Sequence, residues 1–414
     1  MHTATTAAAL CTLMVSIKIP DFIDRLHGYD LGEGCPVHVA IAALKADKWG
    51  RRRIVSGRGE TPGKAARRCV FEAIERQAAI FDETRELTFG SQARLEPAAV
   101  EAQRLILISE RQYARRDEWN KQVGPDHAIP RRFDERRTIA WVRVQSMLTG
   151  NERLVPAAAC FLGYPRALED GFPVPDSSGL AFGARRADAI ERAFLELVER
   201  DAVSIWWYCR LRRPAVEPEP GIAALWKAFA DWMRNCGRTF WILDLTHDLG
   251  IPVAAAVSCN NEGSDLAFGF AAGRTPAAAA RSAMGELVQF EATKRLSRQS
   301  KPSSPPGLLA WCASARVDEN PFLTPSRDAR RAPVSTSAQS AVHPELSKTD
   351  GHDVLVAELP HEPENGHVVR VFVPGLRCIW PRFAPGRLYD VPVRLAWRER
   401  RLSQSELNPI PILY

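Results

Sequence analysis

The chain is 414 residues long, 45% hydrophobic and 25% charged, with a formal net charge of +6. This composition is that of a soluble globular protein, and the length suffices for one large core or two ordinary ones. The mild positive charge suits a polyanionic ligand such as a nucleotide, but there is no basic tract typical of nucleic-acid-binding proteins and no segment of membrane-spanning length. The nine cysteines include no Cys-x-x-Cys pair, which favours reduced thiols. We therefore expect a cytoplasmic protein that binds neither nucleic acid nor a membrane.

The first half of the chain is predicted to alternate strands and helices. Residues 20–55 are predicted to form short strands and a helix. Thr61 and Pro62 form a typical helix start, because threonine can cap free amides of the first turn and proline has no amide hydrogen to lose. This helix should run to about Phe81. The other predicted elements of this half are a charged helix over residues 97–120 and a hairpin formed by residues 138–147 and 154–159.

The second half begins with a predicted loop over residues 173–183, followed by a helix that we expect Asp188 to cap. Two stretches rich in Ser, Pro and Ala, residues 297–306 and 325–347, are predicted to be loops. The C-terminal residues 408–414 are apolar, and their prolines exclude a helix. The remaining predicted elements are a helix over residues 222–236, strands over 239–243, 253–258, 266–272 and 368–373, and a helix that begins at Thr275 and Pro276.

One spacing occurs three times in the chain. A glycine precedes a segment with an apolar stripe, and thirteen positions later an acidic residue appears with a polar partner three residues further on. Because positions three apart share a helix face, each pair directs two polar side chains the same way while the apolar stripe packs against a sheet. The three sets are Gly59 with Glu72 and Glu75, Gly183 with Glu196 and Glu199, and Gly273 with Glu286 and Gln289.

Two interpretations of these glutamates are open. On a single helix they are typical solvated residues, bridged to Arg76 and Arg200, each four positions after a glutamate. If the three helices instead line one cleft, five carboxylates and an amide converge, and multivalent cations would offset their repulsion. Mg²⁺ prefers oxygen ligands and combines a few carboxylates with substrate phosphates. The chain has no G-x-x-x-x-G-K-[ST] sequence, so the second interpretation is a metal–nucleotide site without a P-loop.

The order of these motifs resembles that of the YcaO-domain family, over roughly residues 50–414. Each motif alone is weak, and their combined order is highly specific. The segments similar to the signatures of that family are Ser56-x-Arg58-Gly59 with Glu72-Ala-Ile-Glu75-Arg76, Asp176-Ser-Ser-Gly-Leu-Ala-Phe-Gly183 with Glu196-Leu-Val-Glu199-Arg200, Asp244-Leu-Thr-His-Asp-Leu-Gly-Ile-Pro252, Glu286-Leu-Val-Gln289 and Val371-Phe-Val-Pro-Gly-Leu376.

The resemblance implies a mixed α/β, YcaO-like fold in which helices flank sheets and three acidic helices line an ATP cleft. It implies a catalytic domain over residues 50–414, with an extended tail containing Pro409 and Pro411, after an N-terminal region of strands and a helix over residues 1–49. The residues expected to bind Mg²⁺ are Glu72, Glu75, Glu196, Glu199 and Glu286. The residues expected to contact ATP are Ser56, Arg58, Glu72, Arg76, Arg192, Glu196, Arg200 and Gln289. The expected catalytic residues are Glu199, Arg200 and Pro411.

The reaction implied by the resemblance modifies peptide backbones. A Cys, Ser or Thr side chain of a precursor peptide attacks the preceding amide carbonyl and forms a hemiorthoamide. ATP phosphorylates the former amide oxygen, and elimination gives a thiazoline or oxazoline, ADP and phosphate. The enzyme then has to position groups and stabilise charge but needs no covalent nucleophile, so we expect no catalytic role for the nine cysteines.

The resemblance also implies partners. We expect a subunit of a synthetase that works on a precursor peptide with an E1-like or leader-recognition subunit and, as in microcin-type synthetases, a flavin-dependent azoline dehydrogenase. Two other functions stay open: thioamide or amidine formation with an external nucleophile, and a non-catalytic scaffold that keeps the fold. The Pro-x-Pro tail favours cyclodehydration, and it either approaches the active site or packs on the body of the domain.

Overall fold

The structure is a computed structural model that describes residues 19–46, 50, 53–123, 127–299, 308–332, 352–361 and 366–412. The predictions for the apolar N-terminal residues, for most of the two Ser/Pro/Ala-rich stretches and for Leu413 and Tyr414 lie outside these ranges. Within them, no helix combines the length and the apolar character that crossing a membrane requires.

Short runs of strands and short runs of helices follow one another along the chain. The strands are β1 (Ile23–Tyr29), β2 (His38–Leu44), β3 (Ile54–Gly59), β4 (Thr88–Gly90), β5 (Ile139–Ser146), β6 (Glu152–Pro156), β7 (Leu180–Gly183), β8 (Arg238–Asp244), β9 (Val253–Asn260), β10 (Ala267–Ala272), β11 (Leu355–Leu359) and β12 (His367–Phe372). The helices are α1 (Pro62–Ala78), α2 (Gln92–Leu95), α3 (Gln103–Ile106), α4 (Glu110–Ala114), α5 (Arg116–Asn120), α6 (Ala157–Cys160), α7 (Arg186–Tyr208), α8 (Ala223–Asn235), α9 (Pro276–Gln299), α10 (Leu308–Ser314) and α11 (Arg387–Arg394).

The strands form three antiparallel sheets. One sheet has the order β1-β2-β3, a second has the order β10-β9-β8, and the largest has the order β4-β5-β11-β12-β7 with β6 paired to β5. In the largest sheet Val369 of β12 lies opposite Ala181 of β7, so segments far apart in the chain meet there. The sheets and their flanking helices confirm the predicted mixed α/β class.

The three sequence repeats fold as three strand–helix units: β3 with α1, β7 with α7, and β10 with α9. In each unit the helix folds back so tightly that the repeat glycine has no room for a side chain. A Cβ added to this glycine would approach the backbone nitrogen of the residue six positions later more closely than Cβ atoms approach other atoms in real structures. Steric exclusion of a side chain therefore explains why each repeat has glycine at this position. These distances are 2.7 Å from Gly59 to Ala65, 2.5 Å from Gly183 to Ala189 and 2.7 Å from Gly273 to Ala279.

The apolar stripe of each repeated helix is buried. The residues two positions after the first glutamate show this: Ile74 is 4% exposed, and Val198 and Val288 are fully buried. Full burial of one such side chain contributes about 1.5–3 kcal/mol. Because the apolar stripes are held against the sheets, the acidic faces of the three helices are directed away from them.

The prediction of one continuous charged helix over residues 97–120 is wrong. Leu107 adopts a left-handed conformation with φ of 59° and ends α3. Ser109 and Gln112 then form a reciprocal capping box that begins α4. The segment therefore consists of three short helices, which a hydrophobicity pattern does not distinguish from one long helix.

Several local predictions also need correction. Residues 180–183, predicted as loop, form β7 because β12 offers them a hydrogen-bonding partner. Arg185, rather than Asp188, is the N-cap residue of α7, and Asp188 lies in the first turn, 2.7 Å from the Arg185 guanidinium. The part of residues 20–55 that the structure describes contains strands but no helix.

Candidate active site

The acidic faces of α1, α7 and α9 line one cleft with a volume of about 2360 Å³. Every residue that the sequence led us to expect in a metal, nucleotide or catalytic role lies on its walls, which three independent surface helices would not produce. These residues are Ser56, Arg58, Glu72, Glu75, Arg76, Arg192, Glu196, Glu199, Arg200, Glu286, Gln289 and Pro411.

The first glutamate of each pair is held by the backbone of its own unit. Each carboxylate bonds to a backbone amide of the strand, or of the residue just before it, and is thereby fixed at the base of the cleft. The pairs are Glu72 with Ser56, Glu196 with Gly179 at 3.1 Å, and Glu286 with Phe270 at 2.8 Å. The partner amide lies 16 residues before the glutamate in the first and third units and 17 residues before it in the second, so the units repeat closely in space as well as in sequence.

The second residue of the first and third pairs joins one unit to another. Glu75 accepts a hydrogen bond from the backbone nitrogen of Phe182 in β7 at 2.7 Å, which links the first unit to the second. Gln289 accepts from Arg58 Nη1 at 2.7 Å and donates to the Ser56 hydroxyl, which links the third unit to the first. The cleft is therefore held together by side chains that also form its walls.

Burial and mutual repulsion disfavour the charged forms of the cleft carboxylates. Burial raises the pKa of Glu75 to about 8, and the negative charges of Glu72 and Glu196 add to this shift. Burial also raises the pKa of Glu199 well above its usual range, with Glu286 and Glu196 as further contributors. The pKa values of Glu72 and Glu196 are raised by burial as well. Cations in the cleft would favour the ionised forms.

Arg76 and Arg200 supply part of the opposite charge. Arg76 lies 3.3 Å from Glu72, and Arg200 lies 3.4 Å from Glu196 and 3.3 Å from Glu199. The ion pairs of the alternative interpretation are thus present, but they are not solvated surface pairs. The Glu199 side chain is 11% exposed and that of Arg200 is 18% exposed.

The carboxylates fit magnesium together with a nucleotide. Their oxygens are the hard ligands that Mg²⁺ prefers, and Glu199 Oε1 is buried without a hydrogen bond from the described part of the chain. No three acidic, His or Cys side chains of the described ranges converge closely enough to enclose a metal ion by themselves. Mg²⁺ usually takes one or two carboxylates and completes its shell with water and substrate phosphates, so separated carboxylates that face a cleft suit it.

The C-terminal tail both packs on the body of the protein and reaches the cleft. Trp207 Nε1 in α7 donates a hydrogen bond to Ile410 O at 2.6 Å. Asn408 N donates to Tyr208 O at 2.8 Å, which anchors the tail a second time. Pro411, directly after these anchors, is partly exposed on the cleft wall. The two alternatives for the tail are therefore both met, since it packs on the body of the protein and also lies at the cleft.

Residues 379–382 form a wall of the cleft that the sequence did not lead us to expect. Trp380 Nε1 donates to the carboxylate of Asp176. The segment just before the wall is tied to α7, because Arg377 N donates to Asp201 Oδ1 at 2.7 Å. Asp176 belongs to one of the predicted motifs, but its tryptophan partner is 204 residues away, so no local spacing indicated the contact.

Several basic side chains of the cleft were also missed. Lys64, Arg67, Arg68 and Arg281 line it beside the predicted arginines. For Arg68 a signal was available, because it stands four residues before the first glutamate of its repeat, as Arg192 does in the second repeat. Equivalent positions of repeated helices face the same space.

Residues 56–377 of the chain match a family model described as YcaO cyclodehydratase, ATP- and Mg²⁺-binding. The matched range contains the second and third strand–helix units, the first unit from Ser56 onward, and every predicted site residue except Pro411. The family so described binds the nucleotide and the metal that the cleft residues fit.

Two solved heterocyclases are similar to this chain. One, solved in complex with substrate and cofactor, is 30% identical with a TM-score of 0.83, and the match covers 99% of this chain and 57% of the other. The heterocyclase TruD is 31% identical with a TM-score of 0.72, covering 86% of this chain and 52% of the other. An uncharacterized protein in the tfuA 3′ region of Rhizobium leguminosarum bv. trifolii is 27% identical over 268 residues, which are 58% of this chain and 61% of that protein. The chain thus spans just over half the length of the two heterocyclases and about three fifths of this curated relative.

Proposed function

Because the chain belongs to the YcaO family, we propose that it catalyses the ATP-dependent cyclodehydration of Cys, Ser or Thr residues in a ribosomally made precursor peptide, giving thiazolines or oxazolines. The observation that carries this proposal is the convergence of the three acidic helices on one cleft. The similarity to two heterocyclases, at 30% and 31% identity, favours ring formation over the other reactions of the same chemistry.

The carboxylates divide the work with the basic and amide side chains. We assign Glu72, Glu75, Glu196, Glu199 and Glu286 to magnesium, since they supply only oxygen ligands. ATP bound beside them would supply the phosphoryl group, and Mg²⁺ would neutralise its charge. The residues assigned to ATP contact are Ser56, Arg58, Glu72, Arg76, Arg192, Glu196, Arg200 and Gln289.

The protein's own side chains then position groups and stabilise charge. Arg200, ion-paired with Glu196 and Glu199, holds a permanent positive charge at the place where phosphate charge develops. Glu199 is buried, so its interaction with a cation or a proton is little screened by water. Pro411 at the cleft wall restricts how a peptide backbone lies against the site.

A covalent mechanism through a protein thiol is not needed, and the thiols support this. No cysteine of the described ranges lines the cleft. Burial raises the pKa of Cys69 and Cys312 to about 12 and that of Cys160 to about 11, so these thiols stay protonated at neutral pH. Charge stabilisation and positioning are therefore the means that this chain offers.

The size of the cleft supports a second ligand beside the nucleotide. Small-molecule sites usually measure about 300–1,000 Å³, whereas this cleft has a volume of about 2360 Å³. The remaining space suits a peptide segment, and the wall formed by residues 379–382 borders the cleft. Residues 50–414 would form the catalytic domain and residues 1–49 a separate N-terminal region. An E1-like subunit would recognise the leader, and a flavin-dependent dehydrogenase would oxidise the azolines.

Mass spectrometry of a candidate precursor peptide, incubated with this protein, its partner subunit and Mg·ATP, tests the proposal. Loss of one water for each modified residue is the expected result. Exchange of oxygen for sulfur would instead indicate thioamide formation. Unchanged mass with a proven substrate would support the non-catalytic scaffold function.

We expect Glu199→Gln and Glu286→Gln to reduce ring formation at least about 100-fold while the fold is kept. The matched control is Glu152→Gln, whose side chain is 61% exposed and remote from the cleft; wild-type activity in either cleft variant would contradict the site.

A further inference from the structure

Three arginines of the cleft stand apart from Arg76 and Arg200. Arg58 belongs to β3, Arg68 to α1 and Arg192 to α7, and all three line the cleft. In contrast to Arg76 and Arg200, none of the three has a carboxylate of a described residue within ion-pair distance. We call these residues the arginine cluster.

The repeats explain why two of these arginines meet. Arg68 is four residues before Glu72, and Arg192 is four residues before Glu196. Residues four apart lie on one helix face, so each arginine lies on the same side of its helix as the glutamate that follows it. The equivalent residue of the third helix is Ser282, which also lines the cleft but is uncharged. The positive charge is therefore concentrated between the first and second helices.

The hydrogen bonds of the cluster hold the guanidinium groups in place without neutralising them. Arg68 Nη1 donates to the backbone oxygen of Arg58 at 3.0 Å. Arg192 Nη1 donates to Phe182 O at 3.1 Å, and Arg58 Nη1 donates to Gln289 Oε1 at 2.7 Å. All of these acceptors are neutral. The carboxylates that act on the cluster, Glu60 on Arg68 and Glu72 and Glu199 on Arg58, do so from beyond ion-pair distance, so none of them pairs directly with these guanidinium groups.

The three charges also repel one another. Partial burial lowers the pKa of Arg68, and the neighbouring positive charges of Arg58 and Arg192 lower it further. Arg68 lies close enough to Arg58 and Arg192 to be repelled by both, and an anion placed between the three guanidinium groups would remove this repulsion. Arginine recognises the oxygens of a phosphate with pairs of N–H donors, and a phosphate carries more charge than a single carboxylate.

We propose that Arg58, Arg68 and Arg192 together bind a phosphate group, with Arg68 as a binding residue that neither the family motifs nor the sequence spacing had assigned. This inference rests on the proposed nucleotide site and deepens it. The phosphate belongs either to the polyphosphate chain of ATP or to the inorganic phosphate that the reaction releases. Both have the same oxygen chemistry, and binding measurements distinguish them.

The test is calorimetric titration of the full chain with a non-hydrolysable Mg·ATP analogue, with Mg·AMP and with inorganic phosphate. We expect Arg68→Gln and Arg192→Gln each to weaken binding of the analogue about tenfold, and the double variant about 100-fold. Arg68→Lys should recover part of the loss, and the affinity should depend less on salt in the double variant than in the wild type. All of these side chains are exposed enough to be replaced without unfolding, which thermal melting checks.

The control is Arg185→Gln, which removes the same charge near the start of α7 from a side chain that is 79% exposed and does not line the cleft. A loss for the ATP analogue but not for Mg·AMP places the polyphosphate chain in the cluster, and a loss for inorganic phosphate alone places the product there. Unchanged affinity for both ligands in the double variant would overturn the inference while leaving the proposed function intact. A wild-type chain that bound no nucleotide would overturn the proposed function itself, and the inference with it.

Discussion

Replacing Gly285 with alanine is expected to weaken nucleotide binding without weakening the fold. Gly285 lies in α9 directly before Glu286, and the side chain of Arg58 crosses it. A Cβ at position 285 would lie 3.0 Å from both Cδ and Nε of Arg58. Non-bonded carbon atoms are best separated by about 3.5–4.0 Å, so Arg58 would have to move by about 0.5 Å or more.

This displacement acts on the bond that joins the first and third strand–helix units. Arg58 Nη1 donates to Gln289 Oε1 at 2.7 Å, and a shift of this size brings the contact close to the upper limit for a hydrogen bond. Arg58 is also assigned to a phosphate of ATP, and a hydrogen bond between charged groups contributes about 1.5–3 kcal/mol. Losing that contact through a misplaced Arg58 should therefore weaken Mg·ATP binding about 10- to 100-fold. The helix gains instead, because alanine is favoured over glycine in a helix interior by about 0.8–1 kcal/mol.

Urea unfolding and calorimetric titration with the Mg·ATP analogue, both on the same variant, separate the two effects. The control is Gly221→Ala, where an added Cβ meets open space and nucleotide affinity should stay that of the wild type. A stable Gly285→Ala protein with wild-type affinity would refute the claim that the position of Arg58 matters for binding. A loss of more than about 1 kcal/mol in stability would refute the claim that only a flexible side chain opposes the methyl group.

Two further predictions concern the fold that carries the site. Gly269→Ala should cost about 3 kcal/mol or more in urea unfolding, because its Cβ would lie 2.1 Å from the backbone nitrogen of Leu287; a loss below 1 kcal/mol would contradict this packing of β10 on α9. Asp201→Asn should cost about 3–5 kcal/mol at pH 7, because it leaves the buried guanidinium of Arg387, 2.7 Å away, without its full partner. Burial opposes ionisation of Asp201, yet Arg387 and His247 hold its pKa below the usual value, so the wild-type stability from this group is present above about pH 4 and is lost as the pH falls further. As the pH is lowered from about 5, the free energy of unfolding should fall less for the variant than for the wild type. Parallel curves of unfolding free energy against pH would contradict this role of Asp201.

The repeated units could be predicted from the sequence because their determinants are local. A glycine, an apolar stripe and a glutamate with a polar partner lie within seventeen consecutive residues of each repeat, from Gly59 to Glu75 in the first. The steric role of the glycine, the burial of the stripe and the direction of the acidic face all follow from helix and strand geometry. The prediction of a strand near β5 rests on alternation, and the strands predicted near β8, β9, β10 and β12 are likewise short local segments.

The contacts between units could not be predicted in this way. Arg58 and Gln289 are 231 residues apart, and Trp380 and Asp176 are 204 residues apart. Such pairs depend on how the sheets pack against one another, and no spacing of residues in the sequence indicates that packing. The same limit explains the error over residues 97–120, where a left-handed Leu107 and a capping box divide a segment whose composition is uniformly helical.

The energetics of the cleft bear on the choice between a catalyst and a scaffold. Glu199 is buried and the other glutamates of the cleft are half-buried. This burial raises the pKa of Glu72, Glu75, Glu196 and Glu199, so their charged forms destabilise the empty fold. The arginine cluster lines the same cleft, where partial burial and the positive charges of Arg58 and Arg192 lower the pKa of Arg68. A scaffold gains nothing from either group, since apolar side chains in the same places would stabilise it. Cations at the carboxylates and a phosphate at the arginines relieve both repulsions together. The two unfavourable groups that face one cleft are therefore best explained by a ligand that carries both charges, which is a magnesium-bound nucleotide.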